Sequence, residues 1–179
     1  MSVIFHCCTE SQAVLNSAMF GVPQKRERVF IVGFREDLHI DFEFPEAVIN
    51  REEDFTALKN CIDDNVPEKY FFSERAVEGM MKKRESMNKG RVQDLSRPCS
   101  TIGAHLAKVS LNSTDPVLMI NGRYRRFTPR EAARIQSFPE NFLLSGSESA
   151  QYRAIGNAVP PVMFWYIADK VSRCLGAKL

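Results

Sequence analysis

An α/β fold is what the sequence predicts, from three observations. Val29-Phe30-Ile31-Val32 is apolar without a break and lies between turn residues, as in a buried strand. Thr128-Pro129-Arg130-Glu131 has the form of a capping box with proline at the first helical position. Asn121-Gly122 stands between the extended runs VLMI and RYRRF, a strong hairpin signal.

In chain order, SVIFHCC reads as a strand and Val29 to Phe34 as a second, buried one. From Arg35 to about Arg97 the texture turns to acidic loop and then mixed helix. Ser73 is placed to cap a helix in which Ala76, Val77, Met80, Met81, Arg84 and Met87 fall at helical spacing, closed by Gly90. The methionine stripe reads as core packing. After the hairpin, a short helix is expected from Thr128 to Ser137, stopping before Pro139. Pro161 to Leu175 is the last helix, with Gly176 past its end. No repeat or low-complexity linker is visible, so one compact body with a lobe inserted near 36–97 is expected.

Hydrophobic residues at 44% and charged residues at 26% are ordinary for a globular chain, and the net charge is +2. Its distribution is uneven: residues 36–54 are acidic, whereas MKKRESMNKGR (81–91) and NGRYRRFTPREAAR (121–134) each carry five basic side chains against one glutamate. Solvated surface is the plain reading of either cluster; together they tilt toward a phosphate backbone. Cysteines 7, 8, 61, 99 and 174 show no chelating or paired spacing, so no metal site is expected and free thiols fit a reducing compartment. Val159 to Ala168 is too short for a membrane span, and MSVIFHCC is no signal peptide.

GVPQKRERVFIVG (21–33) sets Gln24, Arg26 and Arg28 at alternate positions on the threshold of the apolar strand. A guanidinium is costly to bury without an acceptor. Either it meets Glu27 or a buried carboxylate, or a ligand arrives.

Three stretches together resemble the DNA (cytosine-5-)-methyltransferases. GVPQKRERVFIVGF is similar to that family's Gln-x-Arg-x-Arg element and following strand. RRFTPREAARIQSFPENF is similar to its Arg-Glu helix ending in a Gln-x-Phe-Pro turn, and QYRAIGNAVPPVMFWYIA to its Gly-Asn-x-Val-Pro element and closing helix. LSRPCSTIGAHL (95–106) looks like the stretch leading out of the recognition lobe. The resemblance covers about residues 13–175; the first dozen fit less well, because the family runs its strand straight into the Val-Leu-Asn of 14–16. The family's Gly-rich loop, Pro-Cys-Gln loop and Glu-Asn-Val element have no counterpart. Pro98-Cys99 is followed by Ser100 and comes after the Gln-x-Arg-x-Arg element, so Cys99 reads as a half-buried thiol and not the nucleophile.

The resemblance implies the C-terminal strands and closing helix of an S-adenosylmethionine-dependent, Rossmann-like sheet with a small mixed target-recognition lobe. The expected division is 1–35 for the last core strands, 36–127 for the lobe and hairpin, and 128–179 for the return to the core. Arg28 is implied to reach O2 of a flipped cytosine, and Arg26 to hold the active-site loop or a phosphate. Gly156, Asn157 and Ala158 are implied to line the methionine end of the cofactor, although Asn157 capping its own turn is an equally local reading. Lys82, Lys83, Arg84, Lys89, Arg91, Arg123 and Arg125 are candidates for contacts to double-stranded DNA; adjacent strand positions point to opposite faces, so at least one of Arg123, Arg125 and Arg126 serves the interior or plain solvent. Gln136, Phe138 and Pro139 read as packing and turn. The implied whole is a cytoplasmic restriction–modification enzyme, bacterial or phage-encoded. Its nucleophilic cysteine would come from a second polypeptide or a missing N-terminal half; Met1 favours the former. A non-catalytic sequence-specific DNA-binding module or regulatory partner is the alternative. In either arrangement the missing half would cover a sheet edge and the apolar face of 162–168.

Overall fold

The computed structural model describes residues 8–82, 91–108 and 115–176. Strands β1 (Cys8–Asn16) and β2 (Glu27–Arg35) pair antiparallel, with Val14 opposite Val29 and Gln12 opposite Ile31. Of the expected strand SVIFHCC (2–8), all but Cys8 lies outside the described residues. β1 runs directly into Val14-Leu15-Asn16, the course that the resemblance implies. A 3-10 turn, Ser17–Phe20, follows; Asn16 caps it by accepting from the Ala18 amide at 3.1 Å, and Gly21 ends it at a φ of 82°.

The second strand corrects an expectation, because it is half bare and not buried. Val29 and Ile31 are 65% and 66% exposed, and Val14 is 64% exposed. Strand side chains alternate between faces. Phe30, on the other face, packs with Leu15 against Phe20, Val22 and Met163, and Phe34 is buried with its ring 5.7 Å from that of Phe42.

Helix α1 (Glu74–Lys82) begins as expected, the Ser73 hydroxyl accepting from the Ala76 amide at 3.3 Å. The remainder of that helix, to Gly90, lies outside the described residues. Strands β3 (Leu118–Ile120) and β4 (Arg123–Arg125) form the expected hairpin. Asn121 and Gly122 both have positive φ, 50° and 76°, as the two-residue turn requires.

Helix α2 (Pro129–Ile135) carries both bonds of the capping box. It stops two residues before Ser137, which turns to a φ of 64°. Helix α3 (Glu148–Asn157) was not anticipated. Ser147 caps it, accepting from the Ala150 amide at 3.3 Å, and it buries only Tyr152, Ile155 and Gly156, too few to draw an apolar stripe in the sequence. Helix α4 (Pro161–Cys174) closes the chain as expected, and the Ser137 hydroxyl accepts from its Val162 amide at 3.1 Å.

Two apolar clusters result. The larger joins Leu58, Ile102, Leu106, Leu118, Phe127, Ile135 and Tyr152, so α2 and α3 share a core with the 58–127 region. The smaller joins the β1–β2 hairpin to α4 through Phe20, Val22 and Met163. Among the described residues no helix is long and apolar enough to cross a membrane.

One charged pair is sealed inside the larger body. Arg125, a candidate for DNA, is buried and its two terminal nitrogens donate to Glu131 at 2.8 and 2.7 Å. Glu131 also accepts from the amides of Thr128 at 2.7 Å and Asp63 at 2.9 Å. Its carboxylate therefore ties the hairpin, the start of α2 and the 58–63 segment to one point. Breaking such a pair strands the other charge in a low dielectric, at a cost of about 3–5 kcal/mol. Glu131→Ala is accordingly expected to lose that much in urea unfolding. The Arg125→Met/Glu131→Leu double variant, which leaves no charge behind, is expected to recover only part of the loss, because leucine leaves the Thr128 and Asp63 amides without their acceptor.

Candidate functional site

The segment after Gly21 leaves the turn and runs beside 99–101. The Cys99 amide donates to Pro23 carbonyl at 2.9 Å, the Lys25 amide donates to Cys99 carbonyl at 2.8 Å, and the Thr101 hydroxyl donates to Lys25 carbonyl at 2.8 Å. This places Gln24, Arg26 and Arg28 in three different environments, although their spacing puts them on one side of the chain.

Gln24 is fully buried. Its amide oxygen accepts from the Ile102 amide at 2.8 Å, and its amide nitrogen donates to Oε1 of Gln136 at 3.1 Å. Gln136, also fully buried, donates in turn to the Ile155 carbonyl at 2.9 Å. Gln136 is thus more than the packing residue its sequence suggests.

Arg26 is buried beside this pair. Its two terminal nitrogens donate to the carbonyls of Ile102 and Gly156, each at 2.9 Å, while its Nε has no partner among the described residues. Burial, and after it the charge of Arg28, lowers the guanidinium pKa to about 10, so it remains a cation at neutral pH. It meets neither the carboxylate nor the free surface expected of it: it is a brace between backbone segments.

Arg28 alone of the three is exposed. It donates to the Glu27 carbonyl at 2.6 Å, and no ion pair to a carboxylate holds it among the described residues. It leaves β2 on the face shared with Phe30, the face covered by α4.

Gly156 and Asn157 form the last turn of α3, not a free turn, and Ala158 leaves in extended conformation. A Cβ on Gly156 would lie 2.3 Å from backbone atoms of Gly103 and 2.5 Å from the Ala104 nitrogen, so only glycine lets α3 reach the 102–104 segment. Asn157 is exposed and Ala158 half-buried. Gln24, Gln136, Arg26 and Gly156 thereby form one hydrogen-bonded joint. It sets the Arg28 end of β2 and the Asn157 end of α3 at fixed positions.

The expected DNA contacts divide. Lys82 ends α1, and Lys83, Arg84 and Lys89 lie outside the described residues. Arg91 is a correction: it is buried and its Nε donates to the Asp115 carbonyl at 3.0 Å, so it presents no charge to a phosphate. Arg125, paired with Glu131, is a second. Arg123 is exposed, ion-paired with Glu68, and lies over the Phe71 ring at 4.1 Å from its centroid. It lines a groove of about 790 Å³ with Phe71, Phe72, Val77 and Tyr124.

Cys99 is fully buried, not half-buried, and burial pushes its thiol far up; burial likewise raises Cys61 to about 11. The thiolate is the reactive form. Cys61 and Cys99 are therefore expected to resist a thiol reagent at pH 8 in the native chain and to react on unfolding, while half-exposed Cys8 and Cys174 react at once. Mass spectrometry of the labelled peptides reads this directly. Among the described residues no group of His, Cys, Asp or Glu is placed to hold a metal ion.

A family model for C-5 cytosine-specific DNA methylases matches residues 5–173. The type II methyltransferase M.AplI of Arthrospira platensis is 33% identical over 173 residues, which are 92% of this chain and 48% of that protein. The type II methyltransferase M.HaeII of Haemophilus aegyptius is 35% identical over 175 residues, 90% of this chain and 50% of the relative. The chain thus spans about half the length of the curated relatives it matches. Among solved structures, S. pombe Dnmt2 methyltransferase superposes with a TM-score of 0.72 at 15% identity, covering 94% of this chain and 57% of that one. A putative DNA modification methyltransferase from an E. coli prophage gives 0.68 at 18% identity, covering 97% and 62%. These two likenesses show a shared fold. A last expectation concerns Gly156: Gly156→Ala should lower the unfolding midpoint by several degrees and detach α3 from 102–104, seen as faster hydrogen exchange at Ile102.

Proposed function

This chain belongs to the C-5 cytosine-specific DNA methylase family, and from that premise we propose that it forms part of a DNA cytosine-5 methyltransferase of restriction–modification type. In this reading residues 1–35 are the last strands of the methyltransferase core, 36–127 the target-recognition lobe and hairpin, and 128–179 the return to the core. The observation that carries the proposal is the contrast within Gln24-Arg26-Arg28: two are consumed inside the protein, and the third is held at the surface with free donors.

C5 of cytosine is a poor nucleophile in a stacked base, so the base is first flipped out, at a cost of a few kcal/mol. A thiolate then forms a bond to C6, and the electron pair displaced from the C5–C6 double bond is delocalised through the ring toward O2. Arg28 is the group suited to meet that charge: a permanent cation on a fixed strand, presenting several donors. Arg26, Gln24 and Gln136 do not touch the base; they position Arg28 relative to α3. The family's Pro-Cys-Gln loop has no counterpart in this sequence, so in this reading the thiolate comes from outside it.

S-adenosylmethionine supplies an activated methyl group when bound. Residues at the end of α3 fit one end of it: the Asn157 amide is exposed, with both donors and an acceptor, and the C-terminal end of a helix favours a cation such as its ammonium group. Gly156 and Ala158 shape the backbone there. The Gly-rich part of the site is not in this sequence. Arg123, Lys82, Lys83, Arg84 and Lys89 are the remaining candidates for contact with duplex DNA.

The test is a tritium-methyl transfer assay on duplex DNA, with the chain combined with the amino-terminal half of a family member and each component omitted in turn. Methyl transfer is expected only with both present. Arg28→Ala is expected to lower transfer by about 100-fold or more, as loss of a charge-stabilising donor does, with DNA affinity nearly unchanged. An equal fall in affinity would make Arg28 a DNA-backbone contact instead.

A further inference from the structure

We infer that Lys25 is a phosphate contact held in reserve: Glu52 occupies its ammonium group in the free chain, and a DNA phosphate displaces that carboxylate when duplex enters the trough beside it. The inference rests on the DNA substrate of the proposed function and adds one contact and its built-in competitor.

Lys25 lies between Gln24 and Arg26 but shares neither neighbour's role. Its backbone is fixed to the 99–101 segment through the Cys99 carbonyl and the Thr101 hydroxyl, each at 2.8 Å. Its side chain opens instead onto two adjoining depressions of about 400 and 260 Å³, which share Lys25, Arg97 and Pro98. Ser100 and Thr101 line the larger, Glu52 and Ser96 the smaller. Three residues of chain separate the Cα atoms of Lys25 and Arg28 by at most about 11 Å. That is roughly three nucleotide steps at about 3.4 Å each. A strand whose base meets Arg28 therefore has phosphates within reach of this trough.

Two cations face it. Arg97 is exposed and meets Asp94 Oδ2 only at 3.9 Å, while Asp94 Oδ1 accepts from the Ser96 amide and hydroxyl at 2.9 and 2.7 Å. A guanidinium presented in this way suits a phosphodiester oxygen. Lys25 differs in already having an anion. Glu52, on the acidic turn Glu52–Asp54, places Oε2 at 3.0 Å from its Nζ. Arg51 pairs with Asp54 at 2.7 Å and with Glu53 at 3.6 Å, so of the three carboxylates Glu52 is the one turned to the trough.

The side chains of Lys25 and Glu52 are 41% and 69% exposed, and an ion pair in that setting adds little to stability. Its consequence is for what reaches the lysine. A carboxylate oxygen stands where a phosphate oxygen would, so duplex must exchange one anion for the other. A loose encounter with DNA then gains less from Lys25 than a duplex held at the same time through Arg28.

The probe is a fluorescein-labelled duplex of mixed sequence, since phosphate contacts carry no sequence information. It is titrated with the full chain and read by anisotropy over a range of salt. Lys25→Gln is expected to weaken binding about 3-fold or more and to reduce the salt slope by about 1. Arg97→Gln should do the same, whereas Lys170→Gln, which removes an exposed charge from α4, should do neither. Glu52→Gln should tighten binding about 3-fold at low salt, the scale of an exposed ion pair. In the Lys25→Gln background it should change nothing, because its effect runs through the lysine. All four are surface positions, so each variant should keep the circular dichroism of the parent. No duplex binding, or a Lys25→Gln variant with parental affinity and slope, overturns the inference. So does Glu52→Gln without effect, or with equal tightening in both backgrounds, which is plain repulsion of DNA by the acidic turn. Affinities that behave as expected without methyl transfer in the combined assay sink the proposed function and leave the exchange at Lys25 standing. Transfer that depends on Arg28, with affinity indifferent to Lys25, does the reverse.

Discussion

Two buried side-chain amides, Gln24 and Gln136, hold this structure in register. They bond to each other at 3.1 Å, and each uses its remaining capacity on backbone: Gln24 on Ile102, Gln136 on Ile155. An amide suits the position because it donates and accepts at once. A hydrocarbon there would fill the volume and leave the Ile102 amide and Ile155 carbonyl unmet, a loss larger than the net gain of an ordinary hydrogen bond. Arg26 closes the same joint from the other side through Ile102 and Gly156. Three distant stretches of sequence are thereby fixed to each other over a few ångströms: the arginine strand, the 99–104 segment and the end of α3.

The same economy explains where the arginines went. Burying a guanidinium demands acceptors for a planar fan of donors. Arg125 finds them in one carboxylate, Arg26 in two carbonyls, and Arg91 has the Asp115 carbonyl. Arg126, half-buried, donates to Glu148 and to the Ala107 carbonyl, each at 2.9 Å. The 121–134 charge cluster, which looks like a phosphate-binding surface, is in large part the internal fastening of a lobe rich in loops. Such a lobe has few backbone ladders, so long side chains that reach carbonyls across the core take their place. Of the described arginines that the sequence singles out for DNA or substrate, Arg28, and Arg123 over Phe71, lie outside.

Much of this was legible in the sequence because it is local. The capping box at Thr128, the Asn121-Gly122 turn, the Ser73 cap and the proline start of α4 each depend on a few adjacent residues, and each is present. Strand alternation leads to the expectation that at least one of Arg123, Arg125 and Arg126 serves the interior or plain solvent, and Arg125 lies in the interior, although it shares its strand face with exposed Arg123. What failed depended on partners far along the chain. Whether Arg91 lies inside depends on Asp115, and Gln136 is a joint only because Gln24 lies 112 positions away. α3 stayed hidden because its contact to the body is a glycine against backbone, a close approach that leaves no apolar pattern. Its Ser147 cap was the one readable signal.

The exposure of β2 was misjudged for a different reason, and that reason bears on function. An unbroken apolar run specifies a strand with two covered faces, and the inference from composition to burial is sound for a complete sheet. Here the run is as apolar as such a strand, yet one face is open. Val14 and Val29 stand directly opposite one another with Ile31 on the same face, and a contiguous exposed aliphatic patch of this kind marks a surface that another element covers. The discrepancy between pattern and exposure therefore measures what is absent. It falls on the strand that carries Arg28, whose side chain leaves on the opposite face, with Phe30, so the bare face and the guanidinium lie on two sides of one strand.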